Sequence, residues 1–387
     1  MATSMISSEP LSSGEFQITD PDRCDSVDRK HRQIATLLEQ TGCDAMLLQR
    51  PENIAWMTSG GQAVPFPGSE PVATLLITRD ARVVLCNNCD SGELFDRQIT
   101  GLGFLLKERP WQEPKQILID DVCRGRKVAG DGVCRSLRDE SAAISQLRLT
   151  LDEYECRHLR ELAKTVAHAV EATTRNILPG ETEAEIAGHL AHRLLRHEAV
   201  PCRLSVAADG RSRMYRHWSY SDSPLRRWAV VSAMATRGGL TCGVTRTVCF
   251  GHPPEHLLAA HRQAAMIAAT GMYFSQVGET TATLWEKLRR IFEKIGQPQE
   301  WQAVEQGALC GYLPSEQVIS PKPDLPLAAG MAIHWTPSVG GIRWGETVLV
   351  RPEGAECCTF SDQWPALGIS VRGQAVNVAD LLCREVG

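Results

Sequence analysis

No apolar run in this sequence approaches the roughly 18 residues that a helix needs to cross a bilayer. A helical membrane span is therefore not expected. There is also no excess of charge of one sign. Lys and Arg number 41 against 46 Asp and Glu, a formal net charge of −5. That balance gives no electrostatic reason to expect nucleic acid or an anionic membrane as a partner. The first residues, MATSMISSEPLSSGEF, lack a basic stretch followed by an apolar core, so they do not read as a secretory signal. Rich in Ser, Gly and Pro, residues 1–25 read as a disordered arm, and the expected location is the cytoplasm. A second C-x-x-C pair is missing too. Cys86 and Cys89 form a lone one, and a tetrahedral zinc site needs four ligands. The fourteen cysteines have irregular spacings in a chain too large to need disulfide staples, so they read as reduced and mostly buried.

What is present is an ordinary globular composition, 43% hydrophobic and 22% charged, in 387 residues, a length that favours two domains. In the first half, Ile34, Leu37 and Leu38 recur at helical spacing up to Thr41-Gly42. Strands are expected at Asp44–Leu48, Val72–Thr78, Arg82–Cys86 and Lys127–Gly130, with a turn at Pro51-Glu52-Asn53. Leu147–Leu151 reads as the crossing into the second half. Asp152–Asn176 then has Leu159, Leu162, Val166 and Val170 on one helical face and stops at Pro179-Gly180. Thr182 and Glu185 have capping-box spacing ahead of the stripe Ile186, Leu190 and Leu194. Ala229–Val231 and Val244–Phe250, joined by a glycine-bearing turn at Arg237–Gly239, read as a buried hairpin. Further helices are expected over His256–Ser275 and Thr283–Ile295.

Several phrases share one resemblance. Asn53-Ile54-Ala55-Trp56-Met57-Thr58-Ser59-Gly60, the Ile177-to-Ala187 run with its P-G-x-T-E core, and Val244-Thr245-Arg246-Thr247 occur here in this order. Gln306–Tyr312, Pro326–Pro337 and Gly341–Val350 follow them. Together they resemble the creatinase, prolidase and methionine aminopeptidase family over roughly residues 28–375. The resemblance implies an α/β (α+β) protein. A creatinase-like N-terminal domain over 26–150 would be followed by a pita-bread domain over 151–387. It also implies a homodimer.

That family holds two divalent ions with two Asp, one His and two Glu. Placed on the matching phrases, those five positions here are Ser232, Gly243, Ala308, Thr336 and Gly345. None supplies an anionic ligand, so no metal and no other cofactor is expected, and a metallopeptidase is argued against. Two readings survive. One is a metal-independent hydrolase of a C–N bond in a small amide, amidine or guanidinium compound. The resemblance to creatinase implies His217 as its acid and base, with Arg216, Arg343 and Glu346 as nearby charged groups. The other is a catalytically dead pseudo-peptidase. It would bind a peptide, a protein or a small ligand in the emptied cage, against Trp218, Tyr220, Tyr312, His334 and Trp335. Cys242 and Cys310 lie beside lost ligand positions and could pair with His217, although inert buried thiols are the simpler reading.

Overall fold

The structure, a computed structural model, describes residues 20–64, 70–134, 136–215 and 217–385. Residues 1–19 of the expected arm lie outside these, and its last residues are helical. Helix α1 (Pro21–Thr41) starts five residues before the expected domain boundary, because Asp20 accepts from Arg23 N at 3.1 Å and Pro21 sits at the first position. It ends at Gly42 in the left-handed region, φ 67°. Strand β1 (Ala45–Leu48) follows, then α2 (Pro51–Met57). The turn expected at Pro51-Glu52-Asn53 is thus the first turn of a helix. Sequence reading missed what anchors its start, which is distant. The buried Asp131 carboxylate accepts from the backbone N of Gln49 and Arg50 and from Asn53 Nδ2, at 2.7–2.9 Å. The first half continues through β2 (Thr74–Thr78), β3 (Arg82–Asn87), α3 (Ser91–Glu93), β4 (Phe104–Arg109), α4 (Lys115–Cys123), β5 (Val128–Gly130), β6 (Arg138–Asp139) and α5 (Ser141–Arg148). Its six-stranded sheet has the order β4-β3-β2-β1-β5-β6, with the fully buried β1 antiparallel to β2 and parallel to β5.

The second half opens with α6 (Glu153–Asn176) and α7 (Glu183–Leu195). Both begin with capping boxes, Asp152 with Glu155 and Thr182 with Glu185. Then come β7 (Val200–Ala208), β8 (Trp228–Arg237), β9 (Leu240–Phe250), α8 (Glu255–Phe274), α9 (Thr281–Lys294) and α10 (Glu300–Ala303). The expected hairpin is β8–β9. Its two central residues, Gly238 and Gly239, have φ of 56° and 77°, which a two-residue turn of matching twist requires of both.

The remaining strands are β10 (Gly307–Cys310), β11 (Gln317–Val318), β12 (Ala332–Trp335), β13 (Ser338–Val339), β14 (Ile342–Arg343), β15 (Glu346–Arg351), β16 (Gly354–Cys357), β17 (Ala366–Val371), β18 (Gln374–Ala379) and β19 (Leu382–Arg384). Two main sheets result, β19-β9-β8-β7 and β11-β10-β12-β15-β16. Every residue of β9 is buried, with α6 on one side and β15 among its other neighbours. A buried ion pair ties the halves of the chain together. Lys30 Nζ on α1 lies 2.7 Å from Glu155 Oε1 on α6, and that oxygen also accepts from Tyr312 Oη at 2.6 Å.

Candidate functional site

The two sheets meet along β9 and β15, where Thr245 N donates to Gly345 O at 3.0 Å and Gly243 N to Thr347 Oγ1 at 3.1 Å. This seam brings the five substituted positions together. Ser232, Ala308 and Thr336 line one cavity of about 250 Å³. Gly243 and Gly345 are close-packed instead. A Cβ on Gly243 would lie 2.6 Å from both Cε1 and Nε2 of His334. A Cβ on Gly345 would lie 2.5 Å from Thr245 Oγ1 and 3.1 Å from the Thr245 backbone N. Thr245 Oγ1 itself donates to Ser232 Oγ at 2.9 Å. Where the resemblance calls for carboxylates, the space is thus filled by an imidazole and a threonine. Among the described residues, no group of three or more His, Cys, Asp or Glu side chains is placed to hold a metal ion.

His334 is the buried titratable group of this wall. Burial pushes its pKa down to about 4, so it is neutral at physiological pH. Its Nδ1 lies 3.1 Å from Thr347 Oγ1, whose own proton goes to Gly243 O at 3.0 Å. The hydroxyl can then only accept from the ring. That places the imidazole proton on Nδ1 and leaves Nε2 a bare acceptor. The cavity also has charged groups. Arg203 from β7 and Arg343 from β14 line it together with Glu305. Arg343 is buried, with its guanidinium carbon 5.4 Å from the Trp218 ring centroid. Burial, then repulsion from Arg203, lowers its pKa to about 10, with Glu305 pulling the other way; it stays protonated.

Among the described residues, His334 and Arg343 are therefore the two expected site residues that line the cavity. His217 is exposed and does not line it. It touches the cavity through Arg203, whose Nη2 lies 3.3 Å from His217 Nδ1. Arginine has no acceptor, so this contact uses an unprotonated Nδ1. Its loop is pinned by the buried Glu183 at the start of α7, which accepts from Ala208 N and from Ser221 N and Oγ.

Trp218 lies behind Arg343, and Tyr220 is exposed. Arg216 lies outside the described residues. Three of the other expected residues are held elsewhere by packing. Tyr312 is turned to Glu155 and lines a neighbouring cavity. Trp335 packs on Gly271 and Gly307 in the core, its Nε1 donating to Ser275 Oγ at 3.0 Å. Glu346 is drawn away from the cavity into a buried cluster, 2.7 Å from Arg246 Nη1 and accepting from Thr359.

The Cys–His pairs do not form. Cys242 is buried with its pKa raised to about 12 by desolvation, Cys310 is raised likewise, and His217 is out at the surface. Of the C-x-x-C pair, Cys86 is buried in β3 and Cys89 is exposed.

Arg203 escaped the sequence reading, and one signal could have found it. Ser205 pairs with Ser232 and Arg203 with Met234, so strand alternation puts Arg203 on the face that carries Ser232. Glu305, in an irregular segment, carried no such signal.

Comparison with known proteins agrees with this architecture. The chain is 23% identical over 354 residues to an uncharacterized peptidase of Staphylococcus aureus (strain MW2), covering 86% of this chain and 99% of that one. Its fold is similar to that of the Xaa-Pro dipeptidase from Bacillus anthracis, with a TM-score of 0.75 and 19% identity over 92% of this chain and 100% of that one. It is also similar to the N-terminal domain of FACT complex subunit SPT16 from Cicer arietinum (chickpea), with a TM-score of 0.67 and 13% identity over 87% and 95%. The sequence pattern of metallopeptidase family M24 matches residues 157–352, half of the chain and the part that contains all five substituted positions, so the chain belongs to metallopeptidase family M24.

Proposed function

We propose that this member of the family is a ligand-binding protein that does not work as a metallopeptidase. One observation carries the reading. The place from which a second hairpin carboxylate would reach a metal pair is taken by the His334 ring, 2.6 Å from where any side chain at Gly243 would begin. Two hydroxyls, a methyl group and two glycines form a donor set that does not fit two divalent ions, which need anionic oxygens and open imidazoles. His334 cannot stand in for that set, because it is one neutral ligand with its Nδ1 committed to Thr347.

The hydrolase reading with His217 as acid and base has less support. His217 is exposed, and an arginine stands between it and the cavity. At 19% and 13% identity, neither the dipeptidase nor the FACT subunit domain lends its activity to this chain.

The test is elemental analysis of the purified chain, joined to an Xaa-Pro dipeptide assay with added manganese, cobalt or zinc. No stoichiometric metal and no hydrolysis are expected. About two ions per chain with metal-dependent cleavage would overturn the proposal. So would metal-free turnover of an amide, amidine or guanidinium compound that is lost in His217→Ala, and this second result would establish the hydrolase reading instead.

A further inference from the structure

The cavity at the five substituted positions is not isolated. A second cavity, of about 400 Å³, lies between the first half of the chain and the β8–β9 hairpin. Cys202 and Pro314 line both. The two cavities differ in chemistry. The first has the guanidinium groups of Arg203 and Arg343, the carboxylate of Glu305 and the bare Nε2 side of His334. The second has walls that are mainly carbon, with Ala55, Ala63, Val64, Val200 and Pro201 among them.

We propose that the two cavities form one site for a small molecule carrying a single carboxylate on an apolar body, its carboxylate held at Arg203 and Arg343 and its body against Ala55, Ala63 and Val200. This rests on the binding reading above. The charge count sets the head group. Among the described residues, the lining of the first cavity has two guanidinium groups against one carboxylate, which favours an anionic head group there, while the carboxylate of the second cavity, Glu52, lies 3.8 Å from Arg50. A carboxylate also matches the planar fork of arginine with two parallel hydrogen bonds. The carbon walls set the body. A peptide would bring amide N–H and C=O groups into the second cavity, where most of the wall offers them no partner, and each such burial is unfavourable. A hydrocarbon chain or aryl ring makes no such demand. Together the cavities are of the size that holds a small organic ligand.

The test is calorimetric titration of the full chain with butyrate, octanoate, octanol, inorganic phosphate and an apolar dipeptide. Octanoate is expected to bind and octanol to bind at least tenfold more weakly, since the alcohol forfeits the charge-assisted pair. Affinity should rise about fourfold for each methylene added between butyrate and octanoate, the burial value of one methylene. Arg203→Gln is expected to weaken octanoate about tenfold and leave octanol unchanged. Arg203 is exposed, so this variant should fold, and its melting curve checks that. Ala63→Glu, which puts a carboxylate into the second cavity, should weaken octanoate more than butyrate. Equal binding of octanoate and octanol, no dependence on chain length, or tighter binding of phosphate or the dipeptide than of octanoate would each overturn the proposal. Failure of octanoate to bind a metal-free, peptidase-inactive chain overturns this inference alone. Metal-dependent peptide cleavage overturns the reading beneath it.

Discussion

Gly243→Ala tests whether His334 really occupies the place of a lost ligand. In a strand with ordinary backbone angles this change should stabilise the chain by about 0.5–1 kcal/mol, because alanine loses less freedom on folding. Here the new Cβ would lie 2.6 Å from Cε1 and Nε2 of His334 and 3.0 Å from Met234 Cε. The methionine can swing aside. The imidazole cannot move freely, since it is buried and its Nδ1 is bonded to Thr347. Overpacking of this kind costs about 1–3 kcal/mol. The expected net effect is therefore a loss of about 1–2 kcal/mol in the natural background. With His334→Ala the obstacle is gone, and the same substitution should become neutral or mildly stabilising. The coupling in the double-mutant cycle is then about 2 kcal/mol. Urea unfolding is the better assay, because a chain of this length shifts its melting temperature by only about 1 °C per kcal/mol. If Gly243→Ala has the same effect with and without His334, the ring is not where the argument needs it.

Two further outcomes follow from buried charge. Glu346→Ala leaves Arg246, 1% exposed at its side chain, with Glu171 as its remaining carboxylate partner. It should cost roughly 3 kcal/mol of stability in urea unfolding, while octanoate binding of the folded variant stays unchanged; a selective loss of binding would restore Glu346 to the site. His334 makes stability depend on pH. Its folded pKa of about 4 lies below the ordinary 6.5, so the unfolded chain takes up this proton first as pH falls. The stabilising contribution is complete above pH 6.5 and is lost on acidification towards pH 4, about 3 kcal/mol in all. His334→Gln should remove that part of the slope between pH 6.5 and 4; an unchanged slope would show that the ring is solvated.

The hairpin and the two capped helices were legible because their signals are local. Gly238-Gly239 sets the turn, and Asp152 and Thr182 each meet a Glu three residues on. The five positions matched to the family's ligands were chosen differently, since each stands inside a phrase with a fixed register. What the sequence hid was non-local. The approach to helix α2 is anchored by Asp131, about 80 positions away, and so its first turn read as a loop. Tyr312, Trp335 and Glu346 stand beside ligand positions in the sequence, yet Glu155, Ser275 and Arg246 hold them elsewhere. Adjacency in a strand does not settle which face a side chain joins, and successive residues point to opposite faces. Glu346 follows Gly345, which packs on Thr245, and points to the opposite face, into the Arg246 cluster.

That alternation explains how the cage could lose its carboxylates without losing the seam that builds it. The two sheets are joined there by neutral groups. Thr245 N reaches Gly345 O, Thr347 Oγ1 both accepts from Gly243 N and donates to Gly243 O, and Thr241 N reaches Gly311 O at 2.7 Å. On the opposite face, Arg246 binds Glu171 and Glu346 in an almost fully buried cluster, and Arg175, 3.8 Å from Glu171, brings a second positive charge to it. Neither layer depends on an ion in the cavity. Carboxylates converging without a cation would repel one another and resist ionisation. With Ser232, Gly243, Ala308, Thr336 and Gly345 at the matching positions that conflict does not arise; the His334 ring packs against Gly243, and Arg203 and Arg343 line the cavity. A cavity walled by two guanidinium groups attracts anions where a metal-holding arrangement of carboxylates would attract cations, so under the proposed reading it is ligand chemistry, more than fold, that would set this chain apart from a dipeptidase.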